Sequence, residues 1–186
     1  MDAGRSTSIG EGRTIALLMM LREGPLIAKD LKAVIPNYQT LKARLERMES
    51  DGLVRLSVIQ KGHKQVSVEL TDLGRDAALV LSMAGAVVSR DRPVPETSLD
   101  MRHFDTVVRM LRGKPYVVQG DIRREIGTYD TVVRVLDRMV GESLVVREDS
   151  RDGWREIRYS LTPLGRQVSD AFQSVYEKIL RHVGEM

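Results

Sequence analysis

The sequence of 186 residues contains no cysteine, so disulfide bonds, thiolate metal sites and thiol catalysis are excluded. Aromatic residues make up only 4% of the chain, and any core must therefore be mainly aliphatic. The longest apolar run, Ala77 to Val88, is interrupted by Ser82 and Gly85 and is shorter than the roughly 20 residues that a membrane helix needs. We therefore expect no membrane span.

The chain also lacks a strong excess of charge of one sign. Lysine and arginine total 29 and aspartate and glutamate 26, which gives a net charge of +3. So small an excess does not by itself indicate a polyanionic partner, and the distribution of the charges has to decide. With 42% hydrophobic and 30% charged residues, the composition is that of a folded globular protein.

No pattern for a metal, a cofactor or catalysis is present. The histidines, His63, His103 and His182, are far apart and have no cysteine partners, so we expect no metal site. The glycines near the N-terminus follow no strand and lack the Gly-Lys-Ser/Thr ending of a phosphate loop, and no Ser-His-acid arrangement is visible. We predict that the protein is not an enzyme and uses no cofactor.

The sequence contains an internal repeat. Shifting the chain by 91 positions aligns a long series of identical residues, among them Asp30 with Asp121, Ile35 with Ile126, Tyr38 with Tyr129, Thr40 with Thr131, Leu45 with Leu136, Arg47-Met48 with Arg138-Met139, and Leu53-Val54 with Leu144-Val145. The match extends to Leu70-Thr71 and Leu161-Thr162, and a shift of 90 aligns Leu21 and Pro25 with Leu111 and Pro115. Two copies of roughly 75 residues each have the size of small domains.

This repeat predicts four segments. Residues 1–12, rich in glycine and serine and without an apolar signal core, are expected to form a flexible N-terminal arm. The first domain is placed at residues 13–88 and the second at 101–186. Residues 89–100, with two prolines and mixed charges, form the expected linker.

Each copy predicts three helices followed by a β-hairpin. In the first copy, the helical pattern of residues 13–22 ends at Pro25, and a second helical segment covers 26–35. The third helix is placed at 37–51, with Asn37 as its N-cap. The predicted buried stripe of this helix consists of Tyr38, Leu41, Leu45 and Met48. Tyr129, the counterpart of Tyr38, is likewise expected in the core.

Alternating apolar and polar residues at 53–59 and 65–70 predict two strands joined by a polar tip at 61–64. The second copy predicts the same order, with helices near 101–111, 118–126 and 128–142 and strands near 144–147 and 156–161. A further helix follows each hairpin, with Thr71 and Thr162 as N-caps. The expected fold class is mainly α with small β-hairpins (α+β), arranged as two tandem winged helix-turn-helix domains.

Residues 40–54, TLKARLERMESDGLV, followed by a hairpin and LTDLGR at 70–75, resemble the MarR and PadR families of winged-helix transcription regulators. The resemblance implies DNA binding as a dimer. The second copy's Arg151-Asp152-Gly153-Trp154-Arg155 is similar to the Arg-Asp-x-Arg wing of MarR proteins, which implies that Arg151 enters a minor groove. Those families carry one winged helix per chain, so this tandem could imitate a dimer within one polypeptide.

A winged helix places its third helix in the major groove of DNA. The predicted DNA-binding residues of the first copy are Asn37, Gln39, Thr40, Lys42 and Ala43 on the helix and Lys61, His63 and Lys64 on the wing. Those of the second copy are Thr128, Thr131 and Arg134 on the helix and Arg151 and Arg155 on the wing. Because Asp130 replaces Gln39 and would repel phosphate, we expect the first copy to probe bases and the second to hold the backbone or to serve in assembly.

The expected function is therefore sequence-specific or architectural binding of double-stranded DNA by a cytoplasmic, nucleoid-associated transcription regulator. The alternative, favoured by the near-neutral charge, is a tandem winged-helix scaffold that binds protein in a chromosome or transcription complex. Two helices have apolar faces that must be shielded from water, either by packing within the chain or by a homodimer contact. They are Ala77–Val88 and the C-terminal helix, whose stripe comprises Leu164, Val168, Phe172, Val175, Ile179 and Val183.

Overall fold

A computed structural model describes residues 7–61, 63–89, 93, 96–150 and 156–185. The first half of the chain, residues 7–89, begins with a 3-10 helix at Ser8–Gly10. Its elements then follow in the order α1 (Thr14–Leu21), β1 (Leu26–Ile27), a 3-10 helix (Asp30–Ala33), α2 (Tyr38–Ser50), β2 (Val54–Lys61), β3 (His63–Leu70) and α3 (Asp72–Val88).

The second half, residues 96–185, has nearly the same order of elements. After a 3-10 helix (Ser98–Asp100) come α4 (Phe104–Leu111), β4 (Val117–Val118), α5 (Gln119–Ile126), α6 (Tyr129–Gly141), β5 (Val145–Ser150), β6 (Glu156–Leu161) and α7 (Pro163–Gly184). Each half forms one antiparallel three-stranded sheet, with strand orders β1-β3-β2 and β4-β6-β5. Each sheet thus joins a hairpin to a two-residue strand, as in a winged helix.

The helix boundaries follow from capping residues. The Asn37 side chain accepts a hydrogen bond from the Thr40 amide at 3.0 Å and so begins α2. Thr71 and Thr162 cap α3 and α7 in the same way, accepting from the amides of Gly74 and Gly165 at 3.0 and 2.9 Å. The three predicted caps are confirmed.

Each helix that follows a hairpin packs unusually close to the chain segment before that hairpin. A Cβ atom at Gly74 would lie 1.9 Å from the carbonyl oxygen of Leu53, and one at Gly165 would lie 1.9 Å from that of Leu144. These glycines let the helix touch the backbone directly, where no side chain fits. The two glycines therefore have matching surroundings in the two halves of the chain.

The two halves contact each other reciprocally. The Arg13 amide donates to the Asp100 carbonyl at 3.2 Å, and the His103 amide, at the equivalent position, donates to the Gly10 carbonyl at 3.3 Å. Helix α1 contacts the 3-10 helix of the second half, and α4 contacts that of the first half. Because exchanging the halves exchanges the partners of each contact, the halves are related by an approximate two-fold axis.

The buried side chains of both halves belong to one hydrophobic cluster. Helices α3 and α7, which follow the two hairpins, pack against each other. In the second half, the rings of Phe104 and Phe172 lie 4.9 Å apart and join α4 to α7. The halves therefore share a core instead of each enclosing its own.

A carboxylate of the second half caps the first helix of the chain. Asp100 Oδ1 accepts hydrogen bonds from the amides of Ile15 and Ala16, at 2.9 and 3.2 Å. Burial raises the pKa of this carboxyl group to about 6, although the two amides act in the opposite direction. The Asp100 contact is not repeated in the other half, where the equivalent residue is Gly10.

The segments expected to be an arm and a linker are partly built into the core. Thr7, Ser8 and Ile9 are buried, as are Thr97 to Asp100. The Ser8 amide donates to Asp51 Oδ2 at 2.6 Å, and the Ser98 amide donates to the equivalent carboxylate, Glu142 Oε2, at 2.9 Å. Buried carboxylates thus hold the backbone at Ser8 and Ser98, within the segments expected to be an arm and a linker.

The second helical segment of the first copy also differs from its prediction. Residues 26–35 contain the strand Leu26–Ile27 and a single 3-10 turn, Asp30–Ala33, where a helix was expected. Leu26 and Ile27 pair with Val68 and Ser67 of β3, so the sheet overrides the helical pattern. In the second copy the strand Val117–Val118 precedes α5, which begins at Gln119, close to the prediction.

The two helices predicted as homodimer seams pack against each other within the chain. Val168, Phe172, Val175 and Ile179 of α7 are all buried. On α3, the outward-facing Leu79, Met83 and Val87 remain 53%, 63% and 55% exposed. Among the residues that the structure describes, no helix is long and apolar enough to cross a membrane.

Candidate nucleic-acid interface

Helix α2 presents one polar face to solvent along its first two turns. Leu41, Leu45 and Met48 are buried and anchor the opposite face against the core. The predicted DNA-binding residues on this helix are all exposed: Asn37, Gln39, Thr40, Lys42 and Ala43. Lys42 Nζ lies 3.7 Å from Glu46 Oε1, an exposed ion pair that costs little to open.

Tyr38 and Tyr129, which were expected in the core, are 49% and 53% exposed. Each is the first residue of its helix, beyond the end of the buried stripe. The Lys32 ammonium lies 5.7 Å from the centre of the Tyr38 ring, and the Arg123 guanidinium lies 5.7 Å from that of Tyr129. The core prediction for both tyrosines is wrong, and each forms a cation-aromatic pair at the start of its helix.

Lys32 is a candidate interface residue that inspection of the sequence missed. The repeat aligns Lys32 with Arg123, so both halves place a cation in the same turn before the third helix. This preserved charge was the signal available in the sequence. It adds positive charge beside the N-terminus of α2, where the free amides of the first turn already favour an anion.

The first wing is a longer and tighter hairpin than predicted. Strands β2 and β3 pair from Val54↔Leu70 to Lys61↔His63, so Lys61, His63 and Lys64 belong to the strands and not to a four-residue tip. Lys64 is exposed. Gly62 and the side chains of Lys61 and His63 lie outside the described part of the chain.

The third helix of the second half, α6, has the same buried stripe but a different beginning. Val132, Leu136 and Met139 are buried, as their counterparts in α2 are. Thr128 donates its hydroxyl to Thr131 Oγ1 at 2.7 Å, and its side chain caps no amide of α6. Thr128 is exposed and Thr131 half-buried.

Arg134 is exposed and lines a cleft of about 850 Å³ between the halves. Arg13 of the first half and Arg102 of the second also line this cleft. The acidic residues Asp137 and Glu142 lie in the same wall, so the cleft carries charges of both signs. Arg138 Nε contacts Glu142 Oε1 at 2.9 Å.

The second wing is described only in its two strands. Arg151 and Arg155, and with them the segment that resembles the Arg-Asp-x-Arg wing, lie outside the described residues. In the strands, Arg147 Nε is 3.5 Å from Asp149 Oδ1, and Arg158 Nε is 2.8 Å from Glu156 Oε2. The Arg158 guanidinium also lies 4.5 Å from the centre of the Tyr116 ring. Arginines on these strands therefore already have local partners.

Arg44 of α2 has a structural position. Its Nε lies 2.6 Å from Glu11 Oε2, and its Nη1 donates to the Glu11 carbonyl and to Thr14 Oγ1, both at 2.9 Å. These contacts fasten α2 to the segment before α1. Arg44 is therefore directed into the molecule, while Lys42 and Ala43 face solvent.

Residues 8–92 match the HxlR-like helix-turn-helix family. The matched segment covers the first half of the chain, including α2 and its wing, whereas the motifs in the sequence had suggested MarR and PadR. A search of the curated proteins gives no significant match.

Among solved structures, the chain is similar to wild-type MarR from E. coli in its apo form. The sequence identity is 17%, and the aligned region covers 63% of this chain and 85% of the MarR chain. The TM-score is 0.40, too low for this likeness to bear on the function.

Proposed function

We propose that the protein is a transcription regulator that binds double-stranded DNA. In this proposal α2 and α6 enter the major groove and the two hairpins contact the backbone on either side. The observation that carries the proposal is the exposed polar face at the beginning of α2, within a segment that matches a helix-turn-helix family. We propose that it acts in the cytoplasm, where it would meet its DNA.

We also propose that the chain consists of two winged-helix units in one polypeptide. The reciprocal contacts around the approximate two-fold axis are those expected between the subunits of a symmetric dimer. We therefore propose that one chain presents both recognition helices and that no second copy is required. Helices α3 and α7 supply, within the chain, the seam that a homodimer would otherwise need.

We further propose that the two units contribute unequally. Gln39 and Lys42 give the first unit donors that suit adenine, guanine or phosphate. In the second unit Asp130 occupies the position of Gln39, and its carboxylate opposes close approach to phosphate. Arg134 on the helix, with Arg151 and Arg155 on the wing, would restore attraction to the DNA.

The proposal is tested by binding of fluorescent duplexes from a genomic or random pool, measured by anisotropy over a range of salt concentrations. A DNA complex in which several phosphates are neutralised by lysine or arginine loses affinity steeply as salt increases. Replacing Lys42 and Lys64 by alanine should weaken binding and lower the magnitude of the salt slope by about one for each phosphate that is no longer neutralised.

Lys178→Ala is the matched control, because Lys178 lies on α7 and pairs with Asp76 at 3.1 Å, away from α2 and its wing. This variant should bind DNA as the unaltered protein does. Absence of binding, or binding indifferent to both salt and Lys42, would overturn the proposal. Those outcomes would favour the protein-binding scaffold, for which the exposed Leu79, Met83 and Val87 offer an apolar surface.

A further inference from the structure

The approximate two-fold axis presents the two recognition helices in equivalent ways. Helices α2 and α6 have the same length of 13 residues, and they share three buried positions along one face. In a dimer of identical chains, two-fold symmetry presents two identical recognition surfaces to the DNA, and the binding site is accordingly a palindrome. The sequence of the site therefore depends on whether the exposed residues of the two helices are alike.

The exposed residues of the two helices are not alike. The positions of Gln39, Lys42 and Ala43 in α2 are taken by Asp130, Val133 and Arg134 in α6. All of these residues are exposed except Val133, which is half-buried. The replaced positions lie in the first two turns, while the buried positions remain apolar. The divergence is thus concentrated where a recognition helix would meet base edges.

The chemistry of the two sets selects different bases. Glutamine pairs with adenine through one donor and one acceptor, and lysine donates to the acceptors of guanine. Aspartate can only accept, which suits the amino group of cytosine, while valine suits the methyl group of thymine. Arginine at position 134 suits guanine, where Ala43 offers no hydrogen bond.

We infer that the DNA site of this protein is not a palindrome: it consists of two unlike half-sites in a fixed order, both occupied by a single chain. This inference rests on the proposed DNA binding. It adds that the residues at these three positions of each helix determine which half-site that helix takes. The approximate two-fold arrangement of the two halves then determines the spacing of the half-sites. The differing side chains determine the order in which the half-sites must follow each other.

The test begins with selection of bound duplexes from a random pool by the full chain. The expected site is asymmetric, and inverted repeats of either half should bind at least about tenfold more weakly, since each mismatched base pair costs a comparable factor. A footprint of labelled duplexes then gives the orientation of the chain on the site.

Two graft variants make the test specific. Gln39→Asp, Lys42→Val and Ala43→Arg together give α2 the residues of α6 at these three positions, and this variant should prefer an inverted repeat of the second half-site. Adding Asp130→Gln, Val133→Lys and Arg134→Ala exchanges the three positions between the helices. The fully exchanged protein should return to the original site but bind it in the opposite orientation.

Glu46→Asp is the matched control. It also replaces a residue of α2 by its counterpart in α6, Asp137, but at a position about one turn beyond Lys42. It should leave the selected site unchanged. Circular dichroism of each variant checks that the fold is retained.

A palindromic site, a single half-site, or binding without sequence preference would overturn this inference and leave the proposed DNA binding intact. A graft variant that keeps the original site would also overturn it. No binding to any duplex would overturn both proposals.

Discussion

The two halves of the chain agree in their framework and differ on their surfaces. Gly74 and Gly165 approach the preceding backbone at the same distance, and Thr71 and Thr162 cap their helices in the same way. On the outer face, Lys42 corresponds to Val133, and Met83 of α3 corresponds to Ser174 of α7. These framework contacts are thus alike in the two halves, while these outer positions carry different residues.

The strongest test of this likeness is substitution of the two close-packed glycines. Gly74→Ala and Gly165→Ala would each place a methyl group against a backbone carbonyl, which cannot move as a side chain can. We expect each to lower the free energy of unfolding by about 3 kcal/mol or more, and by similar amounts. Urea unfolding followed by circular dichroism measures the loss.

Gly120→Ala is the control, since nothing lies within 4 Å of a Cβ atom at that position of α5. Alanine there should be neutral or stabilising by about 0.5 kcal/mol. Because the halves share one core, every variant should still unfold in a single transition. Two separate transitions, or a loss confined to one glycine, would contradict the equivalence of the halves.

The second prediction concerns Asp100, whose counterpart is Gly10. Because burial raises the pKa of Asp100 from 3.8 to about 6, the folded state holds the proton more tightly than the unfolded state does. Protonation of Asp100 therefore stabilises the fold: this contribution is fully present below pH 3.8 and is lost as the pH rises through about 6. The free energy of unfolding should fall by roughly 3 kcal/mol over this range.

Asp100→Asn cannot titrate but keeps an oxygen for the amides of Ile15 and Ala16. We expect the dependence of unfolding free energy on pH to become flatter between about pH 4 and 6 in this variant. Urea unfolding at several pH values measures the slope, with Asp72→Asn on the surface of α3 as control. An unchanged slope in the Asp100 variant would show that this carboxyl group does not titrate in that range.

The third prediction compares the carboxylates that hold the two N-terminal 3-10 helices. Asp51→Ala and Glu142→Ala should each remove the acceptor of a buried backbone amide, that of Ser8 or of Ser98. The expected loss is about 2 kcal/mol in each case, measured by thermal or urea unfolding. A loss below about 0.5 kcal/mol in either variant would mean that the segment before that half is not held by its carboxylate.

The fourth prediction concerns the start of the two recognition helices. Asn37 accepts from a backbone amide, whereas Thr128 bonds to another side chain. Asn37→Ala should therefore cost about 1 kcal/mol of unfolding free energy, and Thr128→Ala only a few tenths. The same unfolding assay decides, and equal losses would remove this difference between the helices.

The smallest effect is expected on the exposed face of α3. Replacing Leu79, Met83 and Val87 by their α7 counterparts, Asp, Ser and Lys, would make the two helices alike at these positions. Because these side chains are more than half exposed, the unfolding free energy should change by less than about 1 kcal/mol. Sedimentation should give the mass of one chain before and after, and a fall from dimer to monomer would instead identify α3 as a homodimer seam.

Local signals in the sequence were sufficient for much of the fold. The 3.6-residue periodicity of α2 and α6, and the caps Asn37, Thr71 and Thr162, depend on residues close in sequence. The hairpin strands were likewise visible from their alternating pattern. Strand β1 was missed because its two residues become a strand only by pairing with β3, roughly 40 residues later along the chain.

The partners of Ser8 and of helix α1 could not be predicted, because they too lie far away in the sequence. The Ser8 amide is bound by Asp51 and the Ile15 amide by Asp100, so that each contact requires the folded arrangement to be known. Likewise, the apolar stripe of α7 predicted a seam, but its partner, α3 of the same chain, followed only from the packing. Of the candidate site, the exposure of Gln39 and Lys42 was predictable from helix periodicity, whereas the exposure of Tyr38 was not.

The position of Asp100 has a consequence for how the protein is made. The Asp100 carboxylate accepts a hydrogen bond from the amide of Ile15, in the first turn of α1, although Asp100 lies 85 residues later in the chain. On the ribosome, α1 therefore emerges long before its cap has been translated. Until Asp100 has left the exit tunnel, the amides of Ile15 and Ala16 lack this acceptor.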